Sequence, residues 1–571
     1  MPTLDRLSDE LLSEVFELVY DSSRHTIFSL LRVNKAIYRA ALPFVYRECA
    51  FNFSQGTFHQ PNGQAADGTP FTRSLEKLAW LLELQRELGS AIRRRVRKVV
   101  VHSNSVVWEG DTNTRRFEEP PFVPSEELIQ AKWGSFIEFI SRVANLREVV
   151  FDCPERVPII LLKALEENHP ACRLHVKNWT RLRSDVKVGD PYEEALARSP
   201  CLRSIDACFL TGGLGMDLNY AAFERILAIS PNLEAIGYTT RAVGGCEVYV
   251  VDFAQRAEAE REAEKFTVLH PVRKSGLKKI RWSGLNYSTL QRWDSFIDLG
   301  KVEALDLGRI GDTGWMAYVR EHGTFTGLKH LSFDIRFHPS ARSGSPVEFK
   351  FALDGFLSSC PTLKSLSIVN YHGYIDLSSI LLRHGHSLRS LALHEVEDTA
   401  GPRPVLIQEE LSLIRDKALH LERLELDINR APDPTSNESA TYEFLSSIPN
   451  LRHLTIHYDL GVRHKGFMGF NRHSRSYESD KREAEQFRKI YTEIDEHFAR
   501  EVWRAVRANV LEELVIYDGE PDRALGIGYP ARWVRREREQ RQRFHVGRNE
   551  RDDLRNEVSA VRVVRRGRVA L

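Results

Sequence analysis

LKSLSIVNYHGYIDLSSILLRHGHSLRSLALH, residues 363–394, holds one full period of the pattern that organises this chain. Apolar residues stand at Leu363, Leu366 and Ile368, a helical stretch LSSILLRHGHS follows, and the spacing returns at Leu388, Leu391 and Leu393. Apolar residues two apart mark a strand with one buried face. The same triplet recurs from Val96-Val99-Val101 to Leu511-Leu514-Ile516, thirteen copies in all, with Ala171-Leu174-Val176 the weakest. First anchors lie 25 to 60 residues apart. Pro170, Pro200, Pro231, Pro361 and Pro449 stand just ahead of strands, where proline ends the preceding helix.

One helix and one strand per unit resembles a leucine-rich repeat, which implies an α/β solenoid, an irregular horseshoe with parallel inner strands. The asparagine or cysteine ladder that usually follows each strand is reduced here to cases such as Asn429. In the repeat register the exposed strand positions are Lys279, Arg281, Asp306, His330, Asp334, Ser367, His394, Arg423, Glu425, Asp427, His453 and His457. These are the candidate client-binding residues of the concave face. Bases early and acids at Glu425 and Asp427 predict a surface that changes sign along its length. Such a surface suits a protein client of mixed charge better than nucleic acid.

The N-terminus reads differently. LDRLSDELLSEVFELVYDSSRHTIFSLLRVNKAIYRAALPFVYRECAF, residues 4–51, carries one apolar stripe through Leu7, Leu11, Leu12, Val15, Phe16, Leu18 and Val19. A second runs through Ile27, Leu30, Leu31, Val33, Ile37 and Tyr38, and Pro43 is expected to stop it. Ser8 supplies a capping oxygen, and Asp9 and Glu10 suit the positive end of the first helix. The order of these residues resembles the fungal-type F-box, with Ser8 where proline is commoner and Asn34 where cysteine is. The resemblance implies a three-helix hook that docks on the Skp-type adaptor of a Skp–cullin–F-box (SCF) ubiquitin ligase. Leu7, Leu11, Leu12, Val15, Phe16, Leu30, Leu31 and Val33 would then be the adaptor contacts. Aspartates at Leu12 and Phe16 are expected to abolish that binding and leave the strands folded.

The domain reading is an F-box at 1–53, a Gly/Pro-rich linker at 54–73 and the repeat region at 74–522. Insertions fall at 239–275 and 459–509, and a basic tail occupies 523–571. FAQRAEAEREAEKF in the first insertion reads as a solvated helix, and SLEKLAWLLELQRELGSAI at 74–92 as a helix leading into the first strand. The tail has fourteen arginines against six acids and reads as a charged, disordered segment, with a localisation signal or nucleic-acid contact as the alternative.

Lys+Arg is 80 and Asp+Glu is 79, so net charge points to neither nucleic acid nor membrane. No apolar run is long enough for a membrane span, and the acidic N-terminus is unlike a secretory signal. The seven scattered cysteines, without a CxxC pair, read as reduced packing residues in a cytoplasmic and/or nuclear protein. No phosphate loop, HExxH, GxSxG or metal spacing occurs, so the expectation is a non-catalytic protein without cofactor or metal. His453 and His457 lie four apart on one strand, too far to share a metal ion. Arg463 to Tyr477 interleaves bases with Phe467 and Phe470, a pattern able to stack on single-stranded nucleic acid, with an ordinary solvated loop as the plainer account. Besides the ligase receptor, two readings stay open: a repeat scaffold capped by the hairpin, and nucleic-acid binding through the tail.

Overall fold

The computed structural model describes residues 8–22, 24–52, 95–102, 126–153, 156–179, 190–211, 219–242, 274–283, 285–311, 313–335, 345–396, 403–429, 436–458, 496–507, 510–518, 542–547 and 560–565. They divide into two compact units, residues 1–277 and 278–571. The linker at 54–73, the expected helices at 74–92 and 253–266 and the 463–477 loop lie outside the described residues.

The first unit opens with three helices, α1 (Asp9–Ser22), α2 (Arg24–Leu30) and α3 (Lys35–Val45). The Ser8 hydroxyl accepts from the Leu11 N–H at 3.4 Å, the expected cap. The second stripe divides in two because Asn34 caps α3, its Oδ1 accepting from the Ile37 N–H at 2.8 Å. Pro43 does not end α3, which runs through it to Val45. A proline so near the C-terminal end costs the helix a single N–H, and the helix survives it.

Six strands follow in the first unit: β1 (Glu48–Asn52), β2 (Lys98–His102), β3 (Glu148–Asp152), β4 (Arg173–Trp179), β5 (Leu202–Thr211) and β6 (Ala235–Ala242). Each pairs in parallel with the next in chain order. Between them lie α4 (Glu126–Arg142), α5 (Ile159–Asn168), α6 (Pro191–Arg198) and α7 (Asn219–Ile229). The core forms where the apolar strand face meets these helices. Phe51 of β1 meets Phe136 and Phe139 of α4 at 5.7 and 5.5 Å, and Trp133 meets Phe151 of β3 at 5.6 Å.

The second unit repeats the plan with β7 (Lys279–Arg281), β8 (Ala304–Ile310), β9 (His330–Ile335), β10 (Ser365–Val369), β11 (Ser390–His394), β12 (Arg423–Ile428), β13 (His453–Tyr458) and β14 (Glu513–Asp518). These too are parallel and sequential. The helices are α8 (Tyr287–Asp294), α9 (Gly314–His322), α10 (Pro346–Ser359), α11 (Leu377–His384), α12 (Gln408–Lys417), α13 (Ser436–Ser446) and α14 (Glu496–Val506). The expectation of α/β structure with parallel strands is met: fourteen parallel strands, with a helix between most successive pairs.

Leu363, Leu366, Ile368, Leu388, Leu391 and Leu393 are all buried, as the triplet predicts. Full burial of one such side chain stabilises by about 1.5–3 kcal/mol. At the weakest copy the first anchor is Cys172, not Ala171, which is exposed. The asparagine ladder is fuller than Asn429 alone suggested. Asn178 and Asn370 take left-handed backbone (φ 56° and 58°) just beyond the alternating core of β4 and β10. Their amides donate to Asp152 and Asp334 of the preceding strands at 2.5 and 2.6 Å.

The basic tail does not remain wholly apart from the fold. Residues 542–547 (β15) pair antiparallel with β14, and 560–565 (β16) pair antiparallel with β15. The register sets Leu514 opposite Val546 and Val546 opposite Val561, and likewise Ile516, Phe544 and Val563. Apolar rows of the parallel strands thus continue into the tail.

Successive turns also stack closely. A Cβ on Gly327, in the turn before β9, would lie 2.5 Å from the Gly300 carbonyl oxygen in the turn before β8. Gly327→Ala is therefore expected to lower stability by about 1–3 kcal/mol, the usual range for overpacking. A urea unfolding midpoint equal to wild type would refute this.

Candidate functional surfaces

The three N-terminal helices have a small core of their own: Leu12, Phe16, Ile27, Ile37, Ala41 and Phe44 are buried together. Phe16 meets Phe44 edge-on at 6.2 Å. This corrects the adaptor-contact expectation, because Leu12 and Phe16 face inward and hold the three helices together. Val15, Leu30 and Leu31 pack half-buried against the same cluster. Leu7 lies outside the described residues. Of the expected contacts only Leu11 and Val33 are exposed, at 50% and 59%. Leu18 (73%), Phe28 (51%) and Tyr38 (43%) are exposed as well, and sequence reasoning gave them no role in binding. Leu11 and Leu18 are seven apart on α1 and so share a face.

Charged contacts also join these helices to the start of the sheet. Glu17 of α1 pairs with Arg97 at 3.0 Å and Arg47 at 3.6 Å, while Arg47 lies over the Tyr20 ring and Arg95 over Phe44. Partly exposed pairs of this kind contribute about 0.2–1 kcal/mol each.

In the second unit the strand register sorts the twelve expected client residues. Lys279, Arg281, His330 and Arg423 are exposed, and Asp306, Asp334, Ser367, Glu425 and His453 are half-buried. His394, Asp427 and His457 are buried, against the expectation of exposure. The cause is Arg403, itself buried, which caps the strand ends. Its guanidinium reaches Asp427 Oδ1 at 3.1 Å and the Glu395 carbonyl at 3.1 Å, and its own carbonyl accepts from Asn429 at 2.5 Å. His394 Nδ1 lies 2.7 Å from Asp427 Oδ1, and the Glu395 N–H donates to Asp427 Oδ2 at 2.6 Å. His457 Nε2 lies 2.7 Å from Glu425, and its ring stacks on Tyr517 with centroids 4.8 Å apart.

The fold brings together His394 and His457, two strands apart in the sheet, with rings 4.6 Å apart. Among the described residues no group of histidine, cysteine and carboxylate side chains is placed to hold a metal ion. Hydrogen bonds and ion pairs among Arg403, His394, Asp427, Glu425 and His457 make the cluster a clamp across β11, β12 and β13. The sequence held one signal for it, an arginine nine residues past a strand-end His.

Cys49, Cys153, Cys172, Cys201 and Cys360 are buried and free of disulfides. Burial pushes the Cys172 and Cys360 thiols up to about 12, so neither is a nucleophile near neutral pH. No described helix is long and apolar enough to cross a membrane.

Against this geometry, comparison with known proteins adds no identification: no family model matches the chain, and no curated protein matches it either.

Burial pushes the Glu395 carboxyl up to about 7, against the His372 N–H that donates to it at 2.6 Å. Its folded pKa therefore exceeds the unfolded value of 4.5, and its contribution is present below 4.5 and lost as pH rises through 7. Glu395→Gln keeps the acceptor and removes the charge. At pH 8 it should stabilise the protein, by on the order of 2–3 kcal/mol, and at pH 4 leave it nearly unchanged. Urea titrations at both pH values check this, and an equal effect at each would refute it.

Proposed function

We propose that this chain is a substrate receptor of an SCF-type ubiquitin ligase, with the hook binding a Skp-type adaptor and the repeat strands binding a protein client. The observation that carries the reading is the hook's self-contained core. Three short helices satisfy each other through Leu12, Phe16 and Phe44, yet leave Leu11, Leu18, Phe28 and Val33 in solvent. A hairpin that served only as a cap would turn such residues toward the sheet. Leu11 and Leu18 lie on one face of α1, and an apolar face left open to solvent suits a binding surface.

Two further features support it. The resemblance to the F-box covers these same residues, and the strand–helix repeats behind them are leucine-rich-repeat-like in spacing and parallel pairing. In this reading the protein performs no bond chemistry. It holds a client near a ubiquitin thioester carried by another protein, raising effective concentration and fixing orientation. The cullin is reached through the adaptor, and neither cofactor nor metal is required.

The test is co-expression with a Skp-type adaptor followed by size-exclusion chromatography. Wild type is expected to co-elute, and Leu11→Asp with Val33→Asp to lose the adaptor while keeping its circular dichroism spectrum and unfolding midpoint. Leu12→Asp with Phe16→Asp is expected instead to unfold the hook, because each charge enters its core. Failure of wild type to co-elute would sink the reading and leave the hook as a structural cap of a repeat scaffold.

A further inference from the structure

The second unit's sheet carries its charges in rows, and the rows run across the strands. The residues just before β8 to β12 are Glu303, Lys329, Lys364, Arg389 and Glu422, each N–H donating to the carbonyl of the one before. Lys329 pairs with Glu303 at 3.2 Å and Arg389 with Glu422 at 2.6 Å. Lys364, between them, is exposed and has no acidic partner among the described residues.

The neighbouring row reads His330, Ser365, Ser390 and Arg423 on four consecutive strands. Its first and last members are exposed, and Arg423 also lacks an acidic partner among the described residues. Strands lie about 4.8 Å apart, so His330 and Arg423 are separated by about 14 Å, with two hydroxyls between, and the cations of the patch are Arg423 and Lys364. Desolvation by the sheet, and after it the charge of Lys364, push the His330 imidazole below its usual range, which favours its neutral form.

We propose that this row, with Lys364 beside it, binds an extended acidic protein segment whose oxyanions lie across the strands. The cations would supply charge and the Ser365 and Ser390 hydroxyls would donate hydrogen bonds. Glu303 and Glu422 neutralise the cations on either side, which confines the unpaired charge to a few strands. That span matches two or three anionic groups and not a tracked nucleic-acid backbone. The positions around it, Ser332, Ser367 and Ala392, are small and offer no aromatic platform for bases. The inference rests on the receptor reading, for which it names the class of client.

The test uses the full chain and short fluorescent peptides of equal length: one glutamate-rich, one with phosphoserine, one neutral. An oligonucleotide of equal charge is run beside them, and binding is read by anisotropy. An anionic peptide is expected to bind in a salt-sensitive way, and the stronger of the two identifies carboxylate or phosphate as the recognised group. Lys364→Glu and Arg423→Glu should each weaken it about tenfold or more. Lys163→Glu, on the exposed side of α5 in the other unit, should not. Adaptor co-elution of the same variants is measured in parallel, so loss of peptide binding with retained adaptor separates this inference from the receptor reading. Equal binding of neutral and acidic peptides, unchanged affinity in both reversals, or tighter oligonucleotide binding through the same residues would overturn it.

Discussion

Everything in the repeats depends on a short piece of backbone just ahead of each strand. The carbonyl of Lys329 accepts from both Lys364 and Ser365, at 2.8 and 3.0 Å, and that of Lys364 accepts from Arg389 and Ser390 in the same way. This double acceptance fixes register before the strand begins. A one-residue slip would turn Leu366 and Ile368 outward, so hydrogen bonding and burial select the same alignment. The helices are then placed by the strand's apolar face, as Trp133 on α4 meets Phe151 on β3 at 5.6 Å.

The same register makes the polar face readable as rows. Residues at equal depth on successive strands become neighbours, though they are 25 or more apart in the chain. One row ends in the clamp around Asp427, where a buried carboxylate is held by Arg403, His394 and a backbone N–H. Removing one member of such a group costs several times more than a surface pair, because the others remain buried without it. Two adjacent rows at the other end carry the exposed Lys364 and Arg423 and the half-buried Ser365 and Ser390. Clamp and open rows thus lie on one sheet, at opposite ends of the strands.

Much of this was legible from spacing alone. Leu363, Leu366 and Ile368 repeat at intervals that only a strand with one buried face explains, and their burial follows. The hook's helices were legible too, but periodicity finds an apolar stripe without saying what covers it. Leu12 and Leu11 are adjacent letters with opposite fates, set by where Phe44 arrives from α3. Arg403 was hidden for another reason. It lies in a stretch without period, and arginine is among the residues least often buried, so its place nine residues past His394 is too weak a signal to mark it as the lid over His394 and His457. Asn178 and Asn370 were missed because a left-handed turn depends on the aspartate one strand earlier, beyond any local window.

The pairing of β13 with β14 carries a consequence for how such a chain changes over time. His453 lies opposite Glu513 in unbroken register, though the excursion between them is more than twice that from Ser365 to Ser390. Closing a flexible loop of twice the length costs only about 0.6 kcal/mol more. Segments can therefore be gained or lost between strands at little thermodynamic penalty, provided the residue ahead of each strand keeps its carbonyl in place. The repeat array is in this sense a frame with open slots, in which new sequence is admitted between strands while Lys364 and the neighbouring row of serines stay where they were.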